Sequence, residues 1–99
     1  MLNTNFPQTY KCRCVKCNTY TTIPSSEMKH EKVWEEERSM GYETEHFYYI
    51  HTQCPKCNYN MSIEYNVFEY PENFFNMCYS KNKNCKIKEH DPDSYFINE

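Results

Sequence analysis

The sequence predicts a small α+β domain stapled by its own cysteines, in which two β-hairpins carry one charged helix inserted between them. Three observations support this. Two Cys-x-x-Cys hooks, Cys14–Cys17 and Cys54–Cys57, have matching flanks. The segments around the second hook alternate polar and apolar residues at the period of a strand. Between the hooks, a run dense in Glu and Lys lies between Pro24 and Gly41.

A chain of 99 residues has room for one domain. Leu, Ile, Val and Phe supply only 15 residues and Ala none, a thin basis for a core. Net charge is only −3, so self-repulsion is weak, and ten Tyr and six Phe add large buriable area. The shortfall calls for a staple, and the seven Cys can provide it. The expected layout is a core over residues 8–70, a helical insertion at 25–40 and an extension at 71–99.

Residues 1–9 read as an extended arm. Tyr10–Arg13 and Thr19–Ile23 read as short strands into and out of the first hook. Residues 26–39 read as a helix, begun by Ser25 or Ser26 after Pro24 and stopped near Gly41. Glu43–Thr52 places Thr44, His46, Tyr48 and Ile50 on one face. Asn60–Glu69 does the same with Met61, Ile63, Tyr65 and Val67, so the two segments should pair as a long hairpin around the second hook. Beyond Tyr70-Pro71, the residues Phe74, Phe75, Met77 and Tyr79 are expected to cover a sheet face. The acidic end, from Glu89 to Glu99, reads as a loose tail that Tyr95, Phe96 and Ile97 can dock.

A two-residue gap lets both thiolates of a hook reach one tetrahedral ion at about 2.3 Å. Asn18 and Asn58 follow the hooks at the position that favours a left-handed backbone, which Asn tolerates. Lys16 and Lys56 occupy matching places and offset thiolate charge. Cys14, Cys17, Cys54 and Cys57 are therefore the expected ligands of one metal site. These residues, with the Tyr10-x-Cys12 approach and the Cys54-Pro55-x-Cys57 hook, resemble the knuckles of the zinc-ribbon and rubredoxin-like group. The resemblance covers about residues 8–70 and implies one bound Zn2+. Glu37–Gly41 and Glu69–Pro71 also resemble segments of small bacterial and phage zinc-ribbon proteins. A rubredoxin-like iron centre, hence an electron carrier, is the alternative, but such chains are shorter and lack the charged insertion. Cys12 lies two residues before Cys14 and can replace it as ligand. Cys78 and Cys85, with Cys12 and His90, can form a second site, although their spacing matches no tight ligand turn and free thiols are the simpler reading.

Four thiolates leave no open position for water, and the chain has neither a Gly-rich phosphate loop nor a His-Glu-x-x-His motif, so no enzyme is expected. The resemblance implies nucleic-acid binding, which the acidic balance, with only two Arg, disfavours. Lys81, Lys83, Lys86 and Lys88 form one basic patch, and Lys11, Arg13, Lys16 and Lys56 a second strip. The preferred reading is a module that docks a protein partner through Trp34, Glu35, Glu36, Glu37 and Tyr48. No membrane span or secretory signal is visible, so a cytoplasmic location is expected. Eleven Asn and nine Lys without Ala suggest A+T-rich coding, as in a low-GC bacterium or its virus, which would place the protein in the host cytoplasm.

Overall fold

The computed structural model describes residues 2–88 and 91–98. Among these residues nine strands run in chain order: β1 (Asn3–Thr4), β2 (Thr9–Cys14), β3 (Tyr20–Pro24), β4 (Lys29–Arg38), β5 (Gly41–Gln53), β6 (Asn60–Glu69), β7 (Phe75–Lys83), β8 (Cys85–Ile87) and β9 (Phe96–Ile97). They form a four-stranded antiparallel sheet β4-β5-β6-β7, a three-stranded sheet β3-β2-β8 and the pair β1-β9. The only helical turns among the described residues are 3₁₀ turns at Ser25–Glu27 and Pro92–Tyr95.

The expected α+β class is therefore wrong, because the inserted helix is absent. The segment read as a helix is strand β4, paired with β5 from Lys29 opposite Tyr49 to Arg38 opposite Gly41. Its residues are exposed except for half-buried Trp34, so no apolar alternation marks it as a strand. Glu and Lys favour helix when alone, but the ladder offered by β5 overrides that preference. Gly41 does not stop a helix. It closes the β4–β5 hairpin at φ +122°, a backbone conformation that side chains rarely adopt.

The β5–β6 hairpin forms as its alternation requires, with Thr44 opposite Glu69 at one end and Gln53 opposite Asn60 at the other. Tyr48, Ile50, Met61, Ile63, Tyr65 and Val67 point into the core. Phe75 does not cover a sheet face from outside, since it begins β7, a strand added beside β6. The segment around Phe96 docks: Phe96 is buried, its ring 5.6 Å from Phe6 and 5.4 Å from Tyr48. The Tyr65 hydroxyl, buried at the centre, donates to the Tyr10 hydroxyl at 3.1 Å and ties β6 to β2. Aromatic area thus fills the space that few aliphatics leave open.

Candidate metal centre

The two hooks sit at the tips of two hairpins from different sheets. Cys14 ends β2 and Cys17 lies in the turn to β3, while Cys54 and Cys57 lie in the turn from β5 to β6. The turns repeat each other bond for bond. The N–H of Asn18 donates to the Cys14 carbonyl at 2.8 Å, and that of Asn58 to the Cys54 carbonyl at 2.8 Å. The N–H groups of Cys14 and Cys54 donate to the carbonyls of Thr19 and Tyr59 at 3.0 and 2.9 Å. Asn18 and Asn58 are left-handed, with φ 61° and 60°.

This repetition brings all four sulfurs within 4.8 Å of one another. Cys14 Sγ lies 3.7 Å from Cys57 Sγ, and Cys17 Sγ lies 3.5 Å from Cys54 Sγ. A tetrahedron of sulfurs about 2.3 Å from a central ion has edges of about 3.8 Å. The sulfurs are thus positioned to bind one metal ion. Cys14 and Cys54 are buried, and Cys17 and Cys57 half-buried at the rim.

The surroundings favour thiolate at Cys17, whose Sγ lies 3.2 Å from the Thr19 hydroxyl oxygen. Hydrogen bonds from that hydroxyl and from the Thr19 N–H lower its pKa to about 6. Cys57 moves up to about 11: the Tyr59 N–H favours its thiolate, but desolvation and the thiols of Cys17, Cys14 and Cys54 outweigh it. Lys16 Nζ stands 5.3 Å from the centroid of the Tyr59 ring, which places its charge beside the second hook.

Cys12 and Cys85 are buried neighbours of the site but do not join it. Their side chains hydrogen-bond each other, and this bond, with burial, pushes the Cys12 thiol far above its ordinary range. Cys14, not Cys12, is the sulfur that points at the cluster. Cys78 lies on β7 opposite Val67 and is not part of the cluster either. His90, the fourth member considered for a second site, lies outside the described residues.

Of the residues expected to dock a partner, Trp34, Glu35, Glu36 and Glu37 are consecutive on β4, while Tyr48 lies apart on β5. Trp34 lies on the outer face of the large sheet, its indole N–H donating to Glu45 at 2.8 Å. Glu35 pairs with Lys32 at 3.3 Å and Glu36 with Arg38 at 3.1 Å, while Glu37 is exposed opposite Tyr42. Tyr48 is buried, stacked on His30 at 4.4 Å, and cannot meet a partner. The basic patch read from Lys81 to Lys88 is divided between β7 and the region of β8.

A relay of polar side chains escaped the sequence reading. His30 Nε2 lies 2.8 Å from His46 Nδ1, and His46 Nε2 lies 2.7 Å from Glu69 Oε1. The three residues come from three adjacent strands, and only the strand register aligns them.

Comparison with protein-family models, with curated proteins and with solved structures finds no match. The geometry of the four sulfurs therefore carries the site by itself. No helix among the described residues is long and apolar enough to cross a membrane.

Proposed function

We propose that the chain is a structural zinc module, not an enzyme, whose work is to dock a protein partner. The observation that supports it is the closed set of four sulfurs joining the β2–β3 hairpin to the β5–β6 hairpin. Four protein ligands complete a tetrahedral shell and leave no place for a reacting water. The position of the ion between two sheets suits a staple. Zinc fits a site that needs no redox chemistry, whereas iron in the same sulfurs would make an electron carrier.

The partner surface in this reading is β4. It is an edge strand, with one side of its backbone free to pair. Glu31, Glu35, Glu36 and Glu37 outnumber Lys29, Lys32 and Arg38 along it, so a basic extended segment is the matching partner. Metal content of the purified protein tests the first half: one zinc per chain is expected, and a red protein carrying iron overturns it. Affinity capture tests the second. A protein retained by the native chain and released by the double change Glu36→Lys and Glu37→Lys supports it. Capture indifferent to that reversal overturns it.

A further inference from the structure

The outer face of the small sheet carries a square of cations. Lys11 and Arg13 alternate outward on β2, and Arg13 stands directly opposite Lys86 on β8. Lys88 follows two residues on from Lys86, and all four line one shallow cavity of about 370 Å³ with Tyr20 and Ile87. No acid lines it. On β3, the residues opposite Arg13 and Lys11 are Tyr20 and Thr22, so that strand offers no counter-charge.

The absence of acids is informative because the chain is acidic, with 14 Asp and Glu against 11 Lys and Arg. Elsewhere among the described residues three cations find carboxylate partners, Lys32 with Glu35, Arg38 with Glu36 and Glu43, and Lys83 with Glu64, whereas only the small sheet gathers four unpaired cations around one cavity. Among the described residues no carboxylate lies within ion-pair distance of Lys11, Arg13, Lys86 or Lys88. Like charges directly across a strand pair destabilise a sheet, and Arg13 with Lys86 is such a pair. An arrangement that costs the fold stability and has no counter-ion among the described residues suits an external one.

Its shape narrows the ligand. Residues two apart on a strand are about 6.7 Å apart, and neighbouring strands about 4.8 Å, so the square exceeds a single anion and suits successive charges on a chain. The Tyr20 ring stands at its rim, 62% exposed, with Lys11 Nζ 5.0 Å from its centroid. A cationic track beside an exposed aromatic ring is the pattern that holds phosphodiester and stacks an unpaired base.

We infer that Lys11, Arg13, Lys86 and Lys88, with Tyr20, form a binding site for the backbone of a single-stranded nucleic acid. The site lies on the small sheet, whereas the proposed docking edge is β4 of the large one, so each stands or falls alone.

Fluorescence anisotropy with labelled oligo-dT and oligo-U 12-mers, using the metal-loaded chain, tests it. Four engaged cations give a slope of log affinity on log salt of roughly −2.8, a loss of about 50-fold between 50 and 200 mM salt. Lys86→Ala should weaken binding and reduce the slope by about 0.7. Tyr20→Ala should weaken binding about tenfold and leave the slope unchanged. Arg13→Glu should abolish binding while raising Tm, because it removes the like-charge pair; the same reversal at Lys29 on β4 should do neither. Unchanged metal content and near-UV circular dichroism in each variant show that the fold persists. No binding at 50 mM salt overturns the inference, as does an affinity indifferent to Lys86→Ala. Retention on phosphatidylserine vesicles without oligonucleotide binding overturns it in favour of a membrane surface.

Discussion

His46 and Glu69 form a hydrogen-bonded pair inside the protein, Nε2 to Oε1 at 2.7 Å, with both residues under one-twentieth exposed. They lie diagonally across the β5–β6 ladder, where Thr44 opposes Glu69 and His46 opposes Val67. The second Glu69 oxygen accepts the N–H of Asn73 at 2.7 Å. With Nε2–H donating to the carboxylate, neutral His46 offers Nδ1 as acceptor to His30 Nε2–H at 2.8 Å.

The relay makes stability depend on pH. Burial alone would raise the Glu69 carboxyl, but the Asn73 N–H and His46 outweigh it and hold it below the usual carboxylate range. His30, although exposed on the edge strand, is also lowered, by partial desolvation of its ring first and then by His46. Both shifts mean that the folded chain binds fewer protons than the unfolded one, so stability falls as acid is added. The His30 share is complete above the ordinary His value of about 6.5 and is lost as pH drops from there through the folded value. The Glu69 share persists to lower pH and is lost as pH falls through its depressed value. Thermal melts with metal content assayed at each pH should show, on top of the gradual loss that protonation of the cluster thiolates causes, an added decline below about 6.5. In His30→Gln the first part of that decline should vanish, and an unchanged profile would remove His30 from the account.

Cutting the pair should cost more than replacing it. His46→Leu leaves a buried carboxylate with one partner fewer, a loss of about 3–5 kcal/mol. For a domain of this size that lowers Tm by well over 10 °C, at about 4–8 °C per kcal/mol. The double change His46→Leu with Glu69→Leu removes the buried carboxylate together with its partner and should recover part of the loss. Urea denaturation of the four species gives the coupling directly, and additive losses would show that the pair contributes nothing of its own.

Metal removal should have the largest effect. Binding a structural zinc is worth about 10–16 kcal/mol, against about 5–15 kcal/mol for the whole stability of a typical domain. Stripping the ion with a chelator at neutral pH, or Cys57→Ser, should therefore abolish the cooperative melt followed by circular dichroism. A melt at the same temperature in the stripped protein would mean that the hairpins hold without the ion.

The metal centre was legible in the sequence because its geometry is local: each hook carries its own turn, and the flanking Asn marks the backbone sign. The β5–β6 hairpin was legible because Met61, Ile63, Tyr65 and Val67 fall on one buried face. Strand β4 was not, since both of its faces are wet and its Glu and Lys carry no period. Its bulge between Lys32 and Trp34 further shifts the alternation, placing Trp34 opposite Glu45 on the outer face. The His30–His46–Glu69 relay and the Arg13–Lys86 register pairing depend on which strands become neighbours, which no local pattern encodes.

The left-handed asparagines give a graded test of the hooks. Asn58 at φ 60° holds the turn whose N–H closes on the Cys54 carbonyl at 2.8 Å. Asn58→Ala places an ordinary side chain in that conformation at a cost of about 1–2 kcal/mol. Because the turn positions two sulfurs, the cost should appear as roughly tenfold weaker metal binding or more in competition with a chromophoric chelator. Asn58→Gly should bind like the native chain. Equal affinity in the Ala variant would show that the sulfurs, not the turn, fix the site.

Cys12 and Cys14 separate packing from ligation. Both are fully buried on the same face of β2, and both belong to the core cluster. Only Cys14 faces the other sulfurs, 3.7 Å from Cys57, while Cys12 bonds to Cys85. Cys12→Ala removes a small buried group and leaves the four-sulfur shell whole. It should keep one metal per chain and cost about 1–2 kcal/mol, the scale of a small core cavity. Cys14→Ala removes a similar volume but opens the shell, so it should lose the metal and the cooperative transition together. Metal stoichiometry and melts on the two variants give the comparison. If Cys12→Ala lost metal and Cys14→Ala retained it, the ligand assignment on β2 would have to be exchanged.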